Sequence, residues 1–216
     1  IEQTNIISQI NHPAILKFIG FSPSNFKEEP KPTIITEMIT RKRLFDILEF
    51  AKNNNSLVDW NNTKKFINIF GIASGMKCLH SFGIIHSNLN PKSIYLDVNM
   101  YPKMTDFGRL TQILVFNSMT YTDNFNKTSK IINSENSSKE KDVFEFGVIA
   151  YQIMMGEMPF ENNLLTFNPD KKLPNCYKSL IEKCLSKNPN ERPSFDDIVT
   201  TIENDIDFIM HDMNND

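Results

Sequence analysis

Between Asp142 and Met155 the chain is almost wholly apolar, interrupted only by Glu145 and Gln152. A helix that is hydrophobic on every side has no face to offer water, so it belongs in the middle of a domain with other elements wrapped around it. The sequence supplies such partners. Residues 61–80 place Phe66, Ile69, Phe70, Ala73, Met76 and Leu79 on one helical face, and 176–185 and 195–210 give two further helices. Gly71 and Gly75 lie inside the first of these, where close packing is the simplest reason for a residue without a side chain. The apolar run is far short of the roughly 18 residues needed to span a membrane. Lys plus Arg total 23 against 26 Asp plus Glu, a net charge of −3, which gives no reason to expect nucleic-acid or anionic-membrane partners.

The rest of the chain is less regular. Residues 2–11 carry Ile6, Ile7 and Ile10 at helical spacing, and His12-Pro13 ends that helix because the residue before proline avoids the helical region. Strand-like runs follow at 15–21 and 33–39, separated by a polar, proline-containing loop over 22–32. A short helix is expected over 43–50, and short strands around Ile94-Tyr95-Leu96. Residues 109–140 are rich in Asn, Ser and Thr with little periodicity and read as a long loop. No internal repeat is found. The expected class is α+β, mainly α, within one domain or at most two. Cys78, Cys176 and Cys184 have no metal spacing, and no secretory segment opens the chain, so reduced, buried thiols and a cytoplasmic location are expected. The chain begins with Ile1 inside a helical pattern, which suggests that an N-terminal part was removed or that the product is partial.

Chemistry concentrates in two segments. The octet His86-Ser87-Asn88-Leu89-Asn90-Pro91-Lys92-Ser93 follows the long amphipathic helix, and Thr105-Asp106-Phe107-Gly108 follows the strand pair. Together they resemble the catalytic and metal-binding loops of the protein kinases, whose patterns are H-R-D-L-K-P-x-N and D-F-G. Further matches stand in that family's order. Asn11-His12-Pro13 resembles the end of the regulatory helix C. Ile34-Ile35-Thr36-Glu37-Met38 resembles the fifth strand and hinge, with Thr36 as gatekeeper. Asp142-Val143-Phe144-Glu145-Phe146-Gly147 resembles D-V-x-S-F-G, and Asn190 to Phe195 resembles N-x-R-P-S-F, with a flavour of the tyrosine-kinase-like group.

The resemblance implies a protein-kinase-like fold. Residues 1–37 would be a partial N-lobe (helix C and two or three strands), 38–210 a helical C-lobe and 211–216 a tail. It also implies a set of parts for phosphoryl transfer, and several of them are altered. The Gly-rich loop and the V-A-I-K lysine, which the family places upstream of helix C, are absent from these 216 residues. The glutamate of helix C maps to Gln3, the catalytic aspartate to Asn88, its neighbouring lysine to Asn90, the second metal-binding asparagine to Ser93 and the phosphate-receiving arginine to Ser87. Asp106 keeps the metal-ligand identity, with a turn-capping role as the plain alternative. The adenine pocket, weak if used at all, would comprise Thr36, Glu37, Ile39 and Tyr95, with Tyr95 in the place of a leucine under the base. The apolar stack joining kinase lobes would comprise Phe18, Ile7, Phe107 and His86, anchored on Asp142. The partner glutamate of Arg192 maps to about Lys130, leaving Arg192 facing a like charge or no partner, and 160–176 is too short for a full helix G.

Plainer roles are expected elsewhere. His86 reads as a hydrogen-bonded core histidine and His80 as a helix-end residue meeting the last carbonyls. Thr120, Tyr121 and Thr122 read as ordinary loop residues, Lys64-Lys65 as a solvated helix face and Met154-Met155 as core filler. The function expected is that of a catalytically inactive pseudokinase, a binding or scaffolding module with a protein partner and no cofactor, or ATP and Mg if nucleotide binding survives. The alternatives are a serine/threonine kinase fragment completed by a missing N-lobe, and a decaying gene product.

Overall fold

The computed structural model describes residues 8–31, 33–39, 42–53, 60–105, 138–161, 164–167 and 172–208. Most of the expected 2–11 helix, Gln3, Ile7, the Asp106-Phe107-Gly108 motif, nearly all of the expected 109–140 loop with Thr120–Thr122 and Lys130, and the 211–216 tail lie outside these residues.

The described part opens with two antiparallel strands, β1 (Phe18–Ser22) and β2 (Thr33–Thr36). Both are shorter than the sequence suggests. Ile15 instead makes an isolated bridge to Met104. Five α-helices follow among the described residues: α1 (Leu44–Lys52), α2 (Asn62–Ser81), α3 (Lys139–Met155), α4 (Asn175–Cys184) and α5 (Phe195–Asn204). Between α2 and α3 lies the short antiparallel ladder of β3 (Ile94–Leu96) and β4 (Pro102–Met104). After α3 the antiparallel pair β5 (Phe160–Glu161) and β6 (Leu164–Leu165) stands in the 160–176 stretch, which is too short for a full helix G.

Helix ends follow from local chemistry. Asn61 starts α2 by accepting from Lys64 N at 3.0 Å. Ser138 starts α3 by accepting from Lys141 N at 3.2 Å, three residues earlier than the apolar run implies, and Gly156 ends it with φ +74°. A Ser194–Asp197 capping box starts α5, which ends at Asn204 and not at Met210.

The all-round apolar helix is α3, and it does sit centrally, packed against α2 on one side and α4 on the other. Eight of its seventeen residues are buried, a larger share than the seven of twenty in α2. On α2 the buried line is Ile69, Ile72, Ala73, Met76 and Leu79; Phe66 and Phe70 are half-buried and stack on each other at 6.0 Å. Gly71 and Gly75 are indeed close-packing positions. A Cβ on Gly71 would lie 2.7 Å from Pro102 Cγ, and one on Gly75 would meet the Met104 methyl and Ala14. The thiols are only partly as expected: Cys184 is buried, but Cys78 and Cys176 are half-buried. Burial pushes the Cys184 thiol up to about 12, so it stays protonated and inert at neutral pH.

Gly147 gives a sharp test of this packing. A Cβ there would lie 2.8 Å from Cys184 Cβ and 3.1 Å from Leu185 Cδ2. The first is a near-backbone atom that cannot swing aside. Gly147→Ala is expected to destabilise by about 1–3 kcal/mol through overpacking, against about 1 kcal/mol of helix propensity gained. Gly75→Ala meets the flexible end of Met104 and is expected to cost less. Paired denaturant titrations measure both, and equal midpoints for the two variants would refute the contrast.

Candidate functional site

The segment after α2 is fastened to α3 by two carboxylates one helical turn apart. Asp142, fully buried, accepts from His86 N at 2.8 Å, Ser87 N at 2.9 Å and His80 Nε2 at 2.9 Å. Glu145 accepts from Leu89 N at 3.0 Å, with Lys141 Nζ 3.7 Å from its other oxygen. The anchoring of His86 on Asp142 follows the expected stack; Ile7 and Phe107 lie outside the described residues. His80 corrects the sequence reading. Its ring reaches across to Asp142, and its own carbonyl accepts instead from Lys139 Nζ at 3.1 Å. Ser87 holds φ +66°, a left-handed conformation that non-glycine residues adopt at a cost, stabilised here by its bond to Asp142.

Glu145 occupies the serine position of the resembled D-V-x-S-F-G pattern, and no local sequence signal links it to Leu89. Burial raises its carboxyl above the usual range, opposed by the Leu89 amide and the Lys141 charge and assisted by the charge of Asp142. A raised folded-state value means that its stabilisation is complete below the unfolded value and is lost as pH rises through the folded one. Glu145→Gln keeps an acceptor for Leu89 N and removes the half-buried charge. It is expected to raise the melting temperature at pH 7, with the gain shrinking towards zero as pH falls below the ordinary carboxylate range. A gain that grows on acidification would refute this assignment.

Within the octet, the polar side chains at the altered positions bond to one another. Asn90 Nδ2 donates to Asn88 O at 2.8 Å and to Asn88 Oδ1 at 3.1 Å. Asn90 Oδ1 accepts from Lys92 N at 2.9 Å. Ser93 is buried, and its hydroxyl lies 2.9 Å from Asn90 O and 3.2 Å from Asn88 O, while Asn90 N donates to its oxygen at 3.2 Å. Thr105, just before Asp106, donates from both N and Oγ1 to Ser93 O. Asn88, Asn90 and Ser93 are therefore together in one turn, while Asp106 lies outside the described residues.

The Ser93 hydroxyl is turned into the loop's own carbonyls, and no group of three or more His, Cys, Asp or Glu side chains suited to a metal occurs among the described residues. Arg192 corrects a second expectation. Its Nε donates to Ser186 O and its Nη1 to Glu140 O, each at 2.9 Å, and the guanidinium lies 4.8 Å from the centroid of the Phe144 ring. Lys64 is likewise engaged and not merely solvated, donating to Asn99 O at 2.8 Å.

Of the hinge-like residues, Glu37 reaches the β3–β4 ladder. Glu37 Oε1 accepts from Lys103 Nζ at 2.9 Å and from Lys17 N at 3.1 Å. The Lys103 hydrogen bond holds the Glu37 carboxyl below its usual range despite partial burial. Thr36 donates from Oγ1 to Glu37 O at 3.2 Å, and Ile39 is half-buried. Tyr95 accepts from Arg43 Nε at 3.3 Å.

Comparison with known proteins agrees with the arrangement of a central buried helix gripping a catalytic-type loop. Residues 1–202 match the protein kinase domain, and the chain belongs to that family. It is 28% identical over 218 residues to the dual specificity protein kinase pyk3 of Dictyostelium discoideum, covering 94% of this chain and 15% of that protein. A probable serine/threonine-protein kinase of the same organism is 28% identical over 223 residues, covering 97% and 36%. Serine/threonine-protein kinase 12 of Arabidopsis thaliana is 27% identical over 234 residues, covering 98% and 48%. The chain thus spans less than half the length of these relatives. Kinases of this family ordinarily use ATP with Mg²⁺. No described helix is long and apolar enough to cross a membrane.

Proposed function

We propose that this chain is a catalytically silent protein-kinase domain that works in the cytoplasm by binding another protein. The observation that carries the reading is the closure of Asn90 on Asn88. At the two positions where the resemblance places a proton acceptor and a cation, the chain has two carboxamides that bond to each other. A carboxamide does not accept a proton at neutral pH, and its dipole does not replace a full charge beside a phosphoryl group. The turn of the Ser93 hydroxyl into the loop supports the same reading for the metal. The test is transfer of radiolabelled phosphate from ATP to a generic substrate, for which none is expected.

The names of the relatives favour a second reading, an ATP-dependent serine/threonine kinase domain within a longer protein. On that reading Asp106 holds the metal, and Thr36, Glu37, Ile39 and Tyr95 surround the base. Transfer that is abolished by Asp106→Ala would establish it.

A further inference from the structure

The two strands of the β3–β4 ladder have the same burial pattern. Their outer residues Ile94, Leu96, Pro102 and Met104 are buried, and their central residues Tyr95 and Lys103 are half-buried and directly opposite each other. Side chains alternate along a strand, so Tyr95 and Lys103 share one face of the ladder. Pro102 and Met104 lie over Gly71 and Gly75 of α2, on the other face. The Tyr95–Lys103 face therefore looks towards the 36–39 segment, as the 2.9 Å contact from Lys103 Nζ to Glu37 Oε1 requires.

Arg43 covers the same face from the side. It precedes α1 and makes an isolated antiparallel bridge to Tyr95. Its guanidinium lies over the Tyr95 ring at 5.3 Å from the centroid, and its Nε donates to the phenol oxygen. A cation over a ring uses the same negative π face on which a planar base would stack. At the other end of the face, the Glu37 carboxylate is held twice, by Lys103 Nζ and Lys17 N, which ties the 36–39 segment to β4.

We propose that the space between the 36–39 segment and the Tyr95–Lys103 face of the β3–β4 ladder is latched by two contacts of the chain itself, Arg43 on Tyr95 and Lys103 on Glu37, and that a purine enters only when they are released. This rests on the placing, under the second reading above, of the 36–39 segment and Tyr95 around the base. It adds that the site is closed by cationic side chains of this chain, independently of the altered octet.

The probe is adenosine, which carries no phosphate and so needs neither a metal nor the octet. Binding of adenosine to the whole chain is followed by calorimetry and by the ¹⁵N signal of the Arg43 Nε–H group. The unmutated chain is expected to show no saturation at millimolar adenosine. Arg43→Ala with Lys103→Met is expected to bind about tenfold more tightly or better, the scale of one cation–π contact with its hydrogen bond. A folded double variant with no gain overturns the proposal, as does unmutated protein that binds equally well. Should the double variant not fold, Arg43→Ala alone decides, since that side chain is exposed: a gain of about threefold supports the latch, and none overturns it. Radiolabel transfer by the unmutated chain would instead strike the inactive-domain reading, which adenosine binding does not test.

Discussion

Asp142→Ala is expected to lower the melting temperature by about 6–20 °C. The carboxylate is fully buried and meets three donors, His86 N, Ser87 N and His80 Nε2, all within 2.9 Å. Removing one partner from a buried, hydrogen-bonded ionic group typically costs about 3–5 kcal/mol, because the groups left behind stay desolvated. For a chain of this size each kcal/mol moves the midpoint by about 2–4 °C. The Ser87 backbone adds to the cost, since its left-handed φ of +66° loses the bond that holds it there. Asp142→Asn is expected to be milder but still destabilising, because one carboxamide oxygen cannot serve donors on both sides and its NH₂ group would face another N–H. Thermal unfolding followed by circular dichroism measures both. A shift below about 2 °C for the alanine variant would mean that the loop is held by something other than Asp142.

The elements legible in the sequence are those whose cause is local. The run 142–155 announced a central helix because apolar residues on every side exclude a solvent-facing position, and α3 has the largest buried share among the described helices. Gly71 and Gly75 announced close approach, and Pro102 and Met104 supply it. The three-residue extension of α3 back to Lys139 was also legible in principle, since Ser138 is a good N-cap and Glu140 and Asp142 put acid in the first turn. The long-range partnerships were not. His80 meets a carboxylate 62 residues away, Arg192 finds two backbone carbonyls and an aromatic ring, and Lys103 finds Glu37 across 66 residues. Nothing in spacing or propensity specifies such pairs; they arise when separately formed elements are docked. The site divides in the same way. The identities Asn88, Asn90 and Ser93 were plain from the octet, but their closure on one another depends on the turn that Asp142 and Glu145 hold in place.

No detectable phosphoryl transfer is expected from this chain. Transfer to a hydroxyl needs an oriented acceptor, metal ions or an equivalent charge, and a cation near the transferred group. Asn88 can accept a hydrogen bond but not the proton, and Asn90 donates its amide hydrogens to Asn88. Losing a general base alone costs about 10²–10⁴-fold. Against a usual kinase rate of about 1–100 s⁻¹, that already approaches the background of an assay. The losses at Asn88, Asn90 and Ser93 do not multiply, because groups acting as a unit fail as a unit. The same argument makes reversion demanding. Asn88→Asp, Asn90→Lys and Ser93→Asn together are expected to leave these 216 residues inactive, since they hold neither the phosphate-covering glycine loop nor the lysine of the third strand that the resemblance calls for. The triple variant exchanges the Asn90–Asn88 amide contact for a charge-assisted one but also removes the Asn90 acceptor of Lys92 N and the contacts of the buried Ser93 hydroxyl, so its folding is checked by circular dichroism before its activity is read. Filter-binding assays with γ-labelled ATP and a generic protein substrate decide the matter. Label transferred by the unmutated chain and lost on Asp106→Ala would place this domain among the active enzymes, whatever the octet contains.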